Sequence, residues 1–170
     1  MSEIDDRLNI VRQEVAKWNS LFQHPGWTPV LVALAIAEDS TLNPQTTGNA
    51  GEYGVLQLRP IALKDVEQSF RFTPSRDSIE ESVKAGAHFL NLCMQYAANC
   101  GMPLSVENVV AVWNMGVGNA CSEYNKYLSA GKDPNTDRSW MYPKTKELVD
   151  RLLQALPAEI RAFNEGLYHK

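Results

Sequence analysis

Two adjacent carboxylic acids, Glu38 and Asp39, end the apolar run PVLVALAIAEDSTLNP at residues 29–44. The negative end of a helix dipole and apolar neighbours both disfavour a charged carboxylate, so this placement predicts raised pKa values for both acids. A carboxyl group with a raised pKa can act as a general acid near neutral pH, for example by protonating the leaving oxygen of a glycosidic bond. The alternative is that both acids are solvated residues at a helix end. Helical periodicity does not choose between the two acids, because each shares a face with apolar residues.

Helical periodicity runs through most of the chain and predicts a mainly α fold that positions these acids. Pro44 restricts the backbone of the residue before it, which ends the second helix. The predicted helices are one with an apolar stripe from Ile4 to Trp18, one from the capping pair Thr28-Pro29 to before Asn43, a long one after Asp77, one from the cap Ser105 to Trp113, and one from about Pro143, interrupted or kinked at Pro157, before a short terminal helix.

Residues 45–60 break the helical pattern directly after the two acids. Gly48, Gly51 and Gly54 fall within seven residues and predict a long turn or short hairpin whose backbone lies close to other atoms. The expected architecture is therefore a single mainly α domain over residues 1–170, with a short irregular or β insertion near residues 45–60.

Composition excludes several classes of function. The chain has 170 residues, 44% of them hydrophobic, which is enough for one core. A net charge of −4 offers no attraction to nucleic acid or to anionic lipid. No apolar run is long enough to span a membrane, and the acidic N-terminus has no signal-peptide pattern.

Histidines and cysteines give no metal-ligand spacing, so we expect no metal, no cofactor and no Ser–His or Cys–His relay. The cysteines are odd in number, and buried thiols in a reducing compartment are the favoured interpretation. A Cys100–Cys121 disulfide would require an exported protein. The residues concerned are His24, His88, His169, Cys93, Cys100 and Cys121.

Three short motifs resemble those of the soluble lytic transglycosylases of the goose-type lysozyme superfamily. The order and spacing of the motifs match, and the resemblance covers roughly residues 29–153, including a segment like the family's connecting helix at residues 82–90. The matching residues are Ser40, Asn43 and Pro44 for E-S-x-x-N-P; Gly51, Gly54, Leu56, Gln57 and Pro60 for the glycine-rich motif; and Trp113, Asn114 and Gly116 for A-Y-N-A-G.

The resemblance places Asp39 where the family has its catalytic Glu, with Glu38 one position earlier. An Asp carboxyl lies about 1.5 Å closer to the backbone, and a misplacement of that size can cost on the order of a hundredfold in rate. Three interpretations follow: Asp39 is the acid on an adjusted backbone, Glu38 takes its place, or catalysis is lost. A second departure is Leu148, where the family has a Tyr; Tyr142 is a candidate replacement.

The resemblance implies a lysozyme-like fold and cleavage of the β-1,4 bond between N-acetylmuramic acid and N-acetylglucosamine in peptidoglycan. One carboxyl would act as acid and then as base, leaving a 1,6-anhydro end. We expect Asp39, with Glu38 second, to be catalytic. The residues expected to bind substrate are Ser40, Glu52, Tyr53, Gln57, Trp113, Asn114 and Tyr142.

Two alternatives stay open. One is a hydrolytic lysozyme or chitinase on the same scaffold, with Glu52 as a second acid; the other is a non-catalytic glycan-binding or structural module. Glu52 can equally be a solvated loop residue, Gln57 a turn-stabilising amide and Trp113 a core residue. We expect a monomer, made in the cytoplasm and acting at the bacterial cell wall by a phage-type or other route that needs no signal peptide.

Overall fold

In the computed structural model, which describes residues 2–22 and 24–169, the chain is mainly helical, as predicted. Within these ranges the β pairing consists of two isolated antiparallel bridges, Thr47–Tyr53 and Tyr53–Leu58, so the predicted insertion at residues 45–60 is confirmed. No helix in the described part of the chain is long and apolar enough to cross a bilayer. The helices are α1 (Glu3–Ala16), α2 (Trp27–Glu38), α3 (Pro60–Phe70), α4 (Ile79–Asn99), α5 (Val106–Met115), α6 (Val117–Ser129) and α7 (Pro143–Asn164), with 3-10 helices at Asn19–Leu21 and Leu167–His169.

The described chain forms two compact units. The first comprises residues 2–89 and 152–169, and the second comprises residues 90–151. Both boundaries lie inside helices, α4 and α7, so each of these long helices contributes to both units. The single domain expected from the sequence stays a prediction.

Helix α2 lies in the core of the first unit. Nine of its twelve residues are buried, including every position from Thr28 to Ala35. A helix that is apolar on all sides is stable only inside a core, which explains the unbroken run of Val, Leu and Ala. Its last residue, Glu38, is half-buried at the C-terminal end of this helix.

Several helix ends differ from the predictions. Gly26 precedes the first turn of α2, whereas Thr28 lies inside the helix and its hydroxyl donates to Asn19 Oδ1. Helix α7 continues through Pro157, so no interruption occurs there. The hydrophobic pattern predicts neither α3 nor α6, although Pro60 in the first turn of α3 is a recognised start signal.

A buried ion pair joins α1 to α7 within the first unit. Arg12 donates through Nε to Glu159 Oε1 (2.9 Å) and through Nη2 to Glu159 Oε2 (2.8 Å), and the Tyr168 hydroxyl donates to Oε1 (2.9 Å). Glu159 is 2% exposed, so these bonds replace the water that its charge would otherwise need. Hydrogen bonding to Glu159 raises the pKa of Arg12, while burial and the Glu159 charge raise the pKa of Tyr168.

Replacing Glu159 should therefore destabilise the protein strongly. We expect Glu159→Gln to lower the free energy of unfolding by about 3–5 kcal/mol, because it leaves the Arg12 charge without its ionised partner. Chemical denaturation measures this change, and Glu165→Gln at an exposed position is the matched control. Equal effects of the two substitutions would contradict the importance of the pair.

Cys100 and Cys121 form a disulfide in the second unit, with their Cα atoms 5.9 Å apart. It links the residue after α4 to the second turn of α6. Cys93 is buried and takes part in no disulfide. The expectation that all three cysteines are reduced is therefore wrong, because the path of α6, which the hydrophobic pattern does not reveal, brings Cys121 to Cys100.

Loss of this disulfide should lower stability by about 3 kcal/mol, since it closes a loop with a sequence separation of 21 residues. Cys100→Ser, Cys121→Ser and the double substitution should have the same effect. Reductant should destabilise the wild type and leave the variants unchanged in denaturant unfolding. A wild type that is insensitive to reductant would rule out the bond in solution.

Candidate active site

The two acids at the end of α2 occupy different backbone positions. Glu38 is the last helical residue, whereas Asp39 caps the helix with an extended backbone (φ −153°, ψ 105°). The Asp39 amide still donates to the Ala35 carbonyl (3.0 Å), so the change of direction occurs at Asp39 itself. Both side chains are half-buried, and Ser40 is exposed.

The Asp39 carboxylate closes the turn that follows. Its Oδ1 accepts from the Thr41 amide (3.1 Å) and the Thr41 hydroxyl (2.7 Å), and its Oδ2 accepts from the Asn43 amide (3.2 Å). The Asp39 carbonyl also accepts from the Leu42 amide (3.0 Å). Leu42 is buried with a left-handed backbone (φ 51°), a conformation that costs a bulky residue free energy and that these bonds help to hold.

These contacts determine the protonation state of Asp39. Burial raises the pKa of Asp39, but hydrogen bonds from the Thr46 and Thr41 side chains and from the Thr41 and Asn43 amides outweigh it, so the pKa is lowered. The predicted raised pKa is therefore wrong for this residue. The balance depends on Thr46, seven positions further along the chain. Asp39 is stabilised as a carboxylate, which accepts hydrogen bonds and is a poor proton donor.

The glycine loop, residues 45–60, is held mainly by its own polar groups. Gln57 Nε2 donates to the carbonyls of Thr46 (2.9 Å) and Gly54 (2.8 Å), and Gln57 itself has a left-handed backbone (φ 48°). The Gly54 amide also donates to the Thr46 carbonyl (3.0 Å). The amide nitrogen of Gln57 thus stabilises the turn, which was one of its two predicted roles.

Glu52 and Tyr53 lie at the centre of this loop. Glu52 Oε2 accepts from the Ala50 amide (2.9 Å), and a β-carbon at Gly48 would overlap that carboxylate. Tyr53 is half-buried and takes part in both β bridges. The loop therefore keeps Glu52 close to its own backbone.

Two glycines allow the loop to pack against α4. A β-carbon on Gly86 would lie 2.2 Å from Leu56 Cδ1, and one on Gly54 would lie 2.5 Å from Ser82 Oγ. Gly54 also has φ +86°, which disfavours other residues. Close contact, rather than flexibility, thus explains the glycine at position 86.

The remaining predicted site residues lie in the second unit. Trp113 is buried at the end of α5. Asn114 is half-buried, and its Oδ1 accepts from the Thr145 hydroxyl (2.6 Å), which ties α5 to the first turn of α7. Tyr142 is 43% exposed, whereas Leu148 is 1% exposed on α7.

Sequence reasoning missed the two threonines that hold Asp39. Thr41 lies two residues after the acid, a spacing at which Asp side chains often bond their own backbone, so D-S-T was an available signal. Thr46 gave no local signal. Among the described residues, no group of three or more His, Cys, Asp or Glu side chains has metal-binding geometry.

The profile of the transglycosylase SLT domain matches residues 17–135, well over half of the chain. The chain belongs to the transglycosylase SLT domain family. No curated protein matches it. The family gives this SLT domain a general glycan-cleaving role of the lytic-transglycosylase type, with peptidoglycan as its substrate class, on a mainly α, lysozyme-like fold.

The matched range of the SLT domain includes both acids, the glycine loop, Trp113 and Asn114. Tyr142 and Leu148 lie beyond it. The part of the candidate site in the first unit is therefore the α2 end together with the glycine loop, and Thr46 connects them by bonding to Asp39, Gln57 and the Gly54 amide.

The stability that Asp39 contributes should depend on pH. Its folded-state pKa lies below the ordinary value of 3.8, so the contribution is present above that value and is lost as the pH falls through the lowered pKa. We expect Asp39→Asn to cost about 1–3 kcal/mol near neutral pH, and the cost to shrink in acid. Denaturant unfolding from about pH 7 to about pH 2 measures it. Asp65→Asn on α3 is the control, and a cost for Asp39→Asn that is independent of pH would contradict the assignment.

Proposed function

We propose that this SLT domain is a peptidoglycan lytic transglycosylase that cleaves the β-1,4 bond between N-acetylmuramic acid and N-acetylglucosamine. The observation that carries the proposal is the family match over residues 17–135, which spans the half-buried acids at the end of α2. Peptidoglycan strands are the proposed substrate, and no cofactor or metal takes part. A monomeric state stays a prediction.

Within the pair of acids, we assign the acid/base role to Glu38. The Asp39 carboxylate accepts hydrogen bonds on both oxygens, and its lowered pKa makes it a poor acid at neutral pH. Glu38 is half-buried at the negative end of α2, where the helix dipole favours a protonated carboxyl. The Glu38 side chain is also longer by one methylene, about 1.5 Å, than that of Asp39, which occupies the family's catalytic position.

The proposed reaction needs one carboxyl in two states. Protonated Glu38 gives its proton to the leaving oxygen of N-acetylglucosamine as the glycosidic bond breaks and positive charge develops at the muramic C1. The resulting carboxylate then takes the proton of the muramic C6 hydroxyl, whose oxygen bonds to C1. The product is a 1,6-anhydro ring, no water is consumed, and Glu38 returns to its protonated form.

Glycan contacts are proposed for Ser40, Glu52 and Tyr53 in the first unit and for Trp113, Asn114 and Tyr142 in the second. Ser40 and Tyr142 are exposed, and Tyr142 offers an aromatic face of the kind that packs on a pyranose ring. Gln57 uses its amide nitrogen within the glycine loop, so its proposed contribution is to hold that loop and to present its amide oxygen.

A second candidate function is glycan binding without cleavage. Two observations favour it: Leu148, at the family's Tyr position, is buried, and Asp39, at the catalytic Glu position, is bound into its own turn. A hydrolase that uses Glu52 as a second acid is a third outcome, which its reducing-end product would identify.

The proposed site of action is the bacterial cell wall, outside the cytoplasm. The Cys100–Cys121 disulfide supports this, because such bonds persist in oxidising compartments. A phage-type or other route to the cell wall stays part of the proposal.

Digestion of purified peptidoglycan, with mass spectrometry of the released muropeptides, tests the proposal. We expect the wild type to release anhydro-muropeptides, Glu38→Gln to lower the rate by about 10²–10⁴-fold, and Asp39→Asn to lower it far less once loss of stability is allowed for. Glu67→Gln, exposed on α3, is the matched control.

The opposite ranking of the two variants would return the acid/base role to Asp39. Binding of glycan strands without any released product would establish the binding module instead. Reducing-end products would establish a hydrolase.

A further inference from the structure

Arg76, outside every motif discussed above, contacts the glycine loop at two carbonyl groups, one before and one after Tyr53 in the sequence. Its Nη1 donates to the Gly51 carbonyl (2.8 Å) and to the Leu58 carbonyl (2.7 Å). These acceptors lie on either side of Tyr53, so one side chain bridges both arms of the loop. All of these residues belong to the first unit.

The same guanidinium lies over the Tyr53 ring, with its carbon 5.6 Å from the ring centroid. This geometry is a cation–π contact, and it covers one face of the ring. A sugar that stacks on Tyr53 must therefore use the opposite face. The contact also limits rotation of Tyr53, whose backbone is already held between Thr47 and Leu58.

Arg76 is itself anchored to the start of α4. Its carbonyl accepts from the Ser82 hydroxyl (3.2 Å), and a β-carbon at Gly54 would lie 3.3 Å from that same carbonyl. The Ser78 hydroxyl accepts from the Glu81 amide (3.0 Å) and caps the helix just after Arg76. The glycine loop is thus fastened to the segment that leads into α4, and this segment is in turn bonded to the first turn of that helix.

Lysine would not reproduce these contacts. The planar guanidinium donates from one nitrogen to two carbonyls while its flat face covers an aromatic ring, whereas an ammonium is a compact charge without a face to stack. Hydrogen bonds from a charged donor are also stronger than those between neutral groups. Arg76 therefore combines three interactions that Lys could make only in part.

We propose that Arg76 is a positioning residue, which fixes the glycine loop so that Tyr53 presents its uncovered face to the glycan. The part concerning glycan rests on the proposed function. The part concerning the loop does not, because it follows from contacts inside the first unit.

The test compares Arg76→Ala, Arg76→Lys and the exposed control Arg161→Ala, using the full chain. Hydrogen–deuterium exchange of the Tyr53 and Leu58 amides, which bond to each other's carbonyls at 3.2 Å, reports loop order without any substrate. Cleavage of a soluble strand of alternating N-acetylglucosamine and N-acetylmuramic acid separates KM from kcat, and titration of the same strand gives Kd.

We expect exchange of both amides to rise at least about tenfold in Arg76→Ala, with partial recovery in Arg76→Lys and no change in the control. KM and Kd should rise about tenfold while kcat changes less than about threefold, because the acid lies on the α2 end and not on the loop. Unchanged amide exchange in Arg76→Ala overturns the proposal. Faster exchange also overturns it if kcat falls and KM rises by the same factors in all three variants, including the control.

The two proposals fail in different ways. A wild type that neither binds nor cleaves the strand overturns the proposed function, while the exchange measurement still decides whether Arg76 holds the loop. Faster exchange with unchanged Kd overturns the positioning role and leaves the proposed function standing.

Discussion

The site depends on how the largely buried helix α2 leaves the core. Helix α2 is apolar on all sides, so the peptide groups at its C-terminal end need partners supplied by the chain that follows. The Asp39 amide donates to the Ala35 carbonyl at the helix end, and the Asp39 carbonyl and carboxylate accept from the amides of Leu42, Thr41 and Asn43 in the turn that follows. The turn from Asp39 to Thr46 then places the start of the glycine loop. Asp39 therefore links the end of the core helix to the start of the glycine loop.

The adjacent acids divide two tasks that a single residue performs poorly. A short Asp side chain reaches its own downstream amides, which suits it to closing a turn and keeps it ionised. A Glu that ends the helix has a longer reach. In the chemistry we propose, the carboxyl that must change its protonation state is thus separated from the carboxyl that must not.

Local signals explain what the sequence could predict. The Thr28-Pro29 pair and the apolar run marked α2, periodicity located the long α4, the Ser105 cap marked the start of α5, and the clustered glycines marked the insertion at residues 45–60. The motifs also identified the family, because several short local patterns occur in the family's order and spacing. Each of these signals acts over a few residues, within the range that hydrophobic spacing and capping chemistry can report.

Features that depend on distant residues could not be predicted. The pKa of Asp39 depends on Thr46, the pairing of Cys100 with Cys121 depends on where α6 lies, and the contacts of Arg76 span 18 and 25 positions. None of these leaves a pattern in the hydrophobic spacing. The apolar neighbours correctly predicted that Asp39 is partly desolvated. The direction of its pKa shift, however, is set by hydrogen bonds that form only in the folded chain.

The contact between Gly86 and Leu56 has a consequence for how this protein can change. A β-carbon at position 86 would lie 2.2 Å from Leu56, so even alanine there requires a smaller or displaced residue at position 56. The two positions are therefore epistatically coupled across 30 residues of sequence. A substitution that enlarges position 86 is therefore expected to cost less stability when position 56 carries a smaller side chain than Leu.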